Sequence, residues 1–484
     1  MTKKLTALLL STVLVASCLL GGCAKKEGTK ESGESTQNNV AAENFMVSNT
    51  APETSNTDAD AGNAFDNDIN TFWTAQTTEG ATLQLDFEEP TLINNVHLKE
   101  EYTYKGGNCR AYHLEAWNGE EWINVYNSDL IRDYKLCVID PIKTTAIRLV
   151  IDEADESSEE SLKIKEFSAT YQPPIKKDQD FRVVGYVSPG SFTLSAYNPD
   201  QAQLDAFTDV VFHSFVHWKY NAAGELDLYH EDSRWETFCN QFHEKLGNRE
   251  INKFISLRNF KGNHMTADAN QRTKVVDKMI ALAIEKGFNG IDVNYEHPET
   301  AAQWDAYNAF LVELCDKAHA QGLLVSAATS ATSNQMTKRV LEGLDQYNVM
   351  VYDNTKDYMY WHSTFNYVLQ AVDMAARTGM DPAKVNIGLP FYAFGTTTSG
   401  IDWARSRAYN QIYSPTNDEF DFGANNAMDY YYNGPTMIRD KTVYAITSGC
   451  GGVMIWHVTA DTAYANKGSL TRTIHEAIQE YTTK

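Results

Sequence analysis

Asp292, Asn294 and Glu296 alternate with apolar Ile291, Val293 and Tyr295 in the stretch from residue 287 to residue 298. Side chains two apart on a strand share a face, so two carboxyl groups and an amide point the same way. Carboxyl groups held in one place are the equipment of general acid and base work. At roughly 3.3 Å per residue, Asp292 and Glu296 stand about 13 Å apart along the backbone, and Asn294 is placed to bridge them. A buried carboxylate is costly unless it is paired or hydrogen-bonded. A solvated edge strand would avoid that cost, but the surrounding sequence argues for a buried one.

From Phe181 onward, short apolar runs alternate with helix-patterned segments, the signature of repeated βα units around a parallel sheet. Strands are expected near residues 182–187, 209–216, 253–258, 290–296, 323–328, 348–353, 385–390 and 452–457. Helical patterns fill the gaps, as at 273–286, where Val275, Val276, Met279, Ile280, Ala283 and Ile284 follow i, i+3, i+4 spacing. Eight such units predict an α/β (β/α)8 barrel with its active site at the C-terminal ends of the strands. Glu296 ends the fourth strand, Asp353 the sixth, and Trp456 nearly ends the eighth, so distant residues converge on one mouth.

The run Gly290-Ile291-Asp292-Val293-Asn294-Tyr295-Glu296 resembles the Asp-Gly-x-Asp-x-Asp-x-Glu strand of glycoside hydrolase family 18, the chitinases and endo-β-N-acetylglucosaminidases. Asn289 and Asn294 stand where that pattern has Asp. Val183-Val-Gly-Tyr186, Met350-Val-Tyr352-Asp353, Gly388-Leu-Pro-Phe-Tyr392 and Gly452-Val-Met-Ile-Trp456 are similar to the family's other strands. The third strand, Lys253 to Asn259, lacks the family's Ser-x-Gly-Gly. The resemblance implies a retaining, substrate-assisted hydrolase in which the acetamido oxygen of N-acetylglucosamine attacks while Glu296 donates a proton. It implies that Asp292 tunes Glu296, that Tyr352 and Asp353 hold the N-acetyl group beside Met350, and that Trp456 and Tyr186 stack on the sugar. Asn294, two residues before Glu296, also resembles the Asn of the pair in family 85 endo-β-N-acetylglucosaminidases, which use the same substrate-assisted strategy; its amide oxygen could accept the acetamido N–H.

Residues 47–172 carry short alternating runs separated by turn residues, which predicts an antiparallel β-sandwich. Asp66, Asp68 and Thr71 place oxygen ligands in a tight loop suited to calcium, and Asn67 stands where a positive φ is expected. Loop and sandwich together resemble the discoidin domain, a jelly-roll-like fold also used to bind carbohydrate, and the resemblance implies that Glu166 completes a structural ion site. No cofactor is implied for catalysis. Tyr102, Tyr104, Lys105 and Arg110 are candidate glycan contacts.

Lys3 and Lys4 precede an apolar run that ends Leu20-Gly21-Gly22-Cys23, a secretory signal over residues 1–22. That ending resembles a bacterial lipoprotein box, which implies a lipid on Cys23, a flexible polar tether over 23–46, and a protein anchored outside the cytoplasm. Two prolines and several charges make 173–180 a stiff linker before the barrel at 181–484. The formal charge of −23 argues against nucleic acid as a partner. Of seven cysteines, Cys109, Cys137, Cys239, Cys315 and Cys450 fall in the folded part; buried thiols are expected, with a Cys109–Cys137 bridge as the alternative. The expected partner is a GlcNAc-containing glycan, as chitin-type oligomer or N-glycan core. A glycan-binding lipoprotein with weak or no turnover is the alternative, and a peptidoglycan-acting enzyme a third.

Overall fold

The computed structural model describes residues 60–483 except 78, 103–107, 156–160, 178–180, 188–198, 221–225, 231–232, 260–267, 297, 355–360, 398–399 and 415–419. Within strands and helices it gives the backbone alone at 214–215, 217–220, 226–230, 233–236, 238–239, 259 and 400. The expected signal, Cys23, tether, Tyr104, Lys105 and the side chain of Cys239 lie outside what is described.

The first folded region is a six-stranded antiparallel sheet ordered Trp73–Thr74, Lys163–Thr170, Thr82–Glu100, Lys135–Ala154, Cys109–Trp117 and Trp122–Ser128. Thr82–Glu100 is one continuous strand of 19 residues. Its register on Lys135–Ala154 shifts between Asp86 and Thr91, so residues 82–86 pair with 146–150 while 91–98 pair with 135–144. One half also pairs with Lys163–Thr170, the other half of the partner with Cys109–Trp117. The long strands therefore run through both layers of a sandwich, around a core that includes Trp73, Leu83, Val96, Leu114, Leu149 and Phe167. Cys109, Cys137, Cys315 and Cys450 are buried free thiols, as expected, and Cys109 and Cys137 are not bridged.

Eight parallel strands follow: β1 (Arg182–Val187), β2 (Asp209–Tyr220), β3 (Asn252–Asn259), β4 (Gly290–Tyr295), β5 (Leu324–Ser330), β6 (Gln346–Met350), β7 (Val385–Pro390) and β8 (Gly452–Trp456). They pair in sequence, β8 pairs with β1, and β1 pairs with β2, which closes the barrel. Where side chains are described, both faces of the strands are buried, so alternation sorts residues between the lumen and the helices. On β4, Ile291, Val293 and Tyr295 pack into the outer core, whereas on β1 Val184 and Tyr186 join a lumen cluster with Val211, Phe254, Tyr352, Tyr392 and Met454. Each fully buried Val, Leu or Ile contributes about 1.5–3 kcal/mol. Gly290 is required because a Cβ there would lie 2.4 Å from the Phe254 ring, and Gly388 because one would lie 2.5 Å from the Val349 carbonyl oxygen.

The helix expected near 273–286 spans Ala269–Glu285, capped by the Asp268 side chain, which accepts the Gln271 N–H at 2.9 Å. Val275, Val276, Met279, Ile280 and Ala283 are buried, but Ile284 is 51% exposed because it lies beyond the edge of the buried stripe. Tyr392–Thr397, Gly400–Ala408, Asn426–Ala427 and Tyr430–Tyr431 form a small antiparallel sheet after β7. In the expected linker, Ile175–Lys176 pairs with Thr482–Thr483 near the C-terminus.

The sandwich and barrel meet at the helix Pro435–Thr447. Asp440 on this helix is fully buried and accepts from Lys135 Nζ at 2.5 Å, Tyr126 Oη at 2.5 Å and the Val138 N–H at 3.0 Å, all on the sandwich. Tyr134 packs on Phe365 and Tyr444 of the barrel. Among the described residues no helix is long and apolar enough to cross a membrane.

Candidate active site

Parity along β4 delivers the polar row to the lumen, from the floor upward: Asp292 is fully buried, Asn294 is 3% exposed, and Glu296, just past the strand, is exposed. Asp292 is surrounded by neutral donors from neighbouring strands. Its Oδ1 accepts from Ser326 Oγ at 2.7 Å, Tyr186 Oη at 3.0 Å and Asn348 Nδ2 at 3.4 Å, and its Oδ2 from Ser256 Oγ at 2.8 Å. Burial pushes its pKa up, and these four hydrogen bonds oppose the rise.

Above that floor is a cavity of about 140 Å³ lined by Asn294, Glu296, Tyr352, Asp353, Trp456 and Met350, with Tyr186, His213, Arg258, Ala328 and Met454 completing the wall. The structure thus brings together every expected catalytic and substrate-binding residue except Asp292, which lies beneath. Two expected roles change. Asn294 does not bridge Asp292 and Glu296: Asp292 is already satisfied by its neighbours, and the Asn294 amide nitrogen lies 3.2 Å from His213 Nε2 instead. Tyr186 borders the cavity but at 1% exposure has too little open surface to stack on a sugar; its hydroxyl donates to Asp292 and accepts from Asn348 at 2.9 Å.

Tyr352 is nearly buried, and its phenol is pushed well above the usual range by burial, with the charges of Asp353, Glu296 and Asp292 adding to the effect. It therefore remains a donor at neutral pH. Asp353 adopts a left-handed φ of +57°, uncommon for a residue with a side chain. Tyr392 Oη donates to its Oδ1 at 2.5 Å, and its N–H donates to His362 Nδ1 at 3.4 Å. His362 is fully buried, and burial holds its pKa down. The next residue, Ser363, is gripped by buried Lys441, whose Nζ donates to the Ser363 carbonyl at 2.9 Å and Oγ at 2.8 Å. Trp456 is only partly buried and packs against His213 edge-to-face, with centroids 4.6 Å apart.

In the sandwich, Asn67 has the expected positive φ, +59°. Asp66 accepts from Thr71 Oγ1 and the Asp68 N–H, and Asp68 from the N–H and amide of Asn70. Burial raises the pKa of Glu166, and the charges of Asp66 and Asp68 push it the same way. Among the described residues no three His, Cys, Asp or Glu side chains form a closed set of metal ligands. Arg110 is paired with Asp155 at 2.6 Å, and Tyr102 lies under the Arg132 guanidinium. These two candidate glycan contacts therefore have internal partners.

Comparison with known proteins agrees with this geometry. The family described as "F5/8 type C domain" matches residues 46–166. Endochitinase 1 of Metarhizium robertsii is 22% identical over 350 residues, covering 57% of this chain and 82% of its own length. Among solved structures, a chitinase from Bacteroides thetaiotaomicron is 21% identical, covers 62% of this chain and 97% of its own, and has a TM-score of 0.52. A plant class V chitinase mutant from Cycas revoluta, solved in complex with (GlcNAc)3, is 18% identical over 61% of this chain and 99% of its own, with a TM-score of 0.51. At such identities these likenesses speak for the fold. The description "Glycosyl hydrolases family 18" matches residues 182–461, more than half of the 484 residues, and the chain belongs to that family.

Proposed function

We propose that the protein hydrolyses β-1,4 linkages after N-acetylglucosamine, in chitin-type oligomers or N-glycan cores, with retention of configuration. The observation that carries this reading is one cavity presenting Glu296 at its mouth and an unpartnered, buried Asn294 Oδ1 in its wall. A buried acceptor without a partner is costly unless a ligand donates to it. The acetamido N–H of N-acetylglucosamine supplies such a donor.

In the proposed reaction the acetamido oxygen attacks the anomeric carbon as the glycosidic C–O bond breaks, and the leaving oxygen takes the proton of Glu296. The Glu296 carboxylate then takes a proton from water, whose oxygen opens the oxazolinium at the same carbon. Tyr352 and Asp353 hold the N-acetyl group, Trp456 provides a flat apolar face, and Asp292 maintains the floor. Asn294 contributes no charge beside the cationic intermediate, which favours, as the second reading, a glycan-binding protein with little turnover.

Mass spectrometry of products from chitotetraose and from a high-mannose glycoprotein tests the proposal, with Glu296→Gln beside the native chain. Product that falls by about 10²–10⁴-fold in the variant supports the hydrolase and identifies its substrate class. Binding of both substrates without product moves the assignment to the second reading.

Two further proposals concern the rest of the chain. Cys23 carries a lipid that anchors the protein outside the cytoplasm; Cys23→Ser should shift it from the membrane fraction to the soluble one, and unchanged partition refutes the anchor. Asp66, Asp68, Thr71 and Glu166 take a structural calcium ion, which would relieve the mutual repulsion of their carboxylates. Saturating calcium should raise Tm and chelation lower it, whereas a constant Tm refutes the site.

A further inference from the structure

Asn294 has two chemically distinct ends, and what fixes them is His213 on β2. The Asn294 amide nitrogen is 3.2 Å from His213 Nε2. An amide NH2 only donates, so Nε2 accepts, and the neutral imidazole carries its proton on Nδ1. The ring is 3% exposed, edge-on to Trp456 with centroids 4.6 Å apart, and 6.1 Å from the Tyr186 ring. Burial pushes its pKa down to about 3, and the charge of Arg258 acts in the same direction, as does that of His457 whenever it is protonated. Glu296 and Asp353 share the cavity, but burial and the Arg258 guanidinium outweigh them and favour an imidazole that accepts. Asn294 Oδ1, also buried, has no partner among the described residues.

We propose that His213 is a positioning residue that locks the Asn294 amide with its oxygen free for the acetamido N–H of the substrate, so that this neutral pair replaces a carboxylate. The inference rests on the hydrolase reading for its ligand, but the orientation it asserts is a property of the protein alone. One consequence is selectivity. A carboxylate here would attract the ammonium of a deacetylated glucosamine, whereas a neutral amide oxygen offers only a hydrogen bond. The site is thereby specialised for N-acetylated sugars over free amines.

Imidazole nitrogen NMR on the full chain with labelled histidine tests the orientation without any need for turnover. His213 should show an unprotonated Nε2 and a protonated Nδ1 between about pH 5 and 8. In Asn294→Asp the new carboxylate should draw a proton onto His213 and move its titration upward. A protonated Nε2 in the native chain, or a titration unmoved in Asn294→Asp, overturns the proposal.

Titration calorimetry with chitotetraose in a Glu296→Gln background tests the positioning. His213→Phe, which fills the space but cannot accept, should weaken binding about tenfold, and His213→Gln, which can accept, should recover most of the loss. Equal losses in both variants would mean that the ring serves packing alone and would overturn the proposal. If the native chain neither binds nor cleaves the oligomer, the hydrolase reading fails, while the NMR result still decides the orientation.

Discussion

Two buried aspartates organise two different regions, the floor of the cavity and the junction between sandwich and barrel. Asp440 at the junction meets a cation, a phenol and a backbone N–H, so charge and hydrogen bonding are both answered from the other domain. Asp292 at the floor meets only hydroxyls and an amide, and one turn of parity above it an acceptor oxygen is left unanswered. A closed network of this kind specifies how two domains fit. An open one keeps a place for something that is not protein.

Substitutions that remove one member from each network should separate these roles. Asp440→Asn leaves Lys135 buried without its counter-charge and should cost about 3–5 kcal/mol in denaturant unfolding. A loss under about 1 kcal/mol would show that the junction tolerates an open partner. Asp292→Asn removes no salt bridge and should cost about 1–3 kcal/mol, yet lower turnover by about 10² or more because the floor beneath Asn294 and Glu296 is rearranged. Turnover held at the native level would make the floor purely structural.

Acidification should weaken the barrel more steadily than the sandwich. Burial holds His213 and His457 near a pKa of about 3, well below the 6.5 of an unfolded histidine. Their contribution is complete above pH 6.5; as pH falls the unfolded chain takes up protons that the folded chain refuses. Stability then drops by roughly 1.4 kcal/mol per pH unit per histidine until the folded pKa is reached. In the sandwich, burial likewise lowers His97, to about 4. Hydrogen exchange at pH 5 and pH 7 should show protection falling more around β2 and β8 than in the sandwich strands; an equal fall would refute the difference. The smallest effect on stability is expected for Glu296→Gln. Its side chain is exposed, and the unfolding midpoint should stay within about 0.5 kcal/mol of native.

The barrel was legible because every strand alternates between two fates, and the row in β4 displays that alternation with polar residues. The same rule would have found the cavity residues that were missed. His213 shares parity with Val211, Arg258 with Phe254 and Ser256, Ala328 with Ser326, and Met454 with Trp456, and each of these neighbours faces the lumen or the cavity. A histidine inside Val-Val-Phe-His213 reads as core until its face is counted. The His213 contact itself, across 81 residues, leaves no local mark. Neither does the junction, where Lys135 and Asp440 are 305 residues apart and the pattern around each merely fits its own domain. The bridging role of Asn294 was misread because spacing along a strand says nothing of what adjoining strands already supply.

The short strand Thr482–Thr483 has a bearing on how the two domains can be divided. Thr482–Thr483 pairs with Ile175–Lys176, and the Tyr481 hydroxyl reaches Asn95 Oδ1 at 3.1 Å. Gly423 sits so close to the Asn127 carbonyl that a Cβ would come within 2.4 Å of its oxygen. The stretch that looks in the sequence like a seam between two cassettes is thus sewn to residues 482 and 483. Splitting the chain near residue 180 would free neither half; it would uncover a buried charge with aromatic rings on each, Asp440 with Phe365 and Tyr444 on the barrel, Lys135 with Tyr126 and Tyr134 on the sandwich. Recombination that shuffles this barrel onto another partner domain would have to rewrite both faces together.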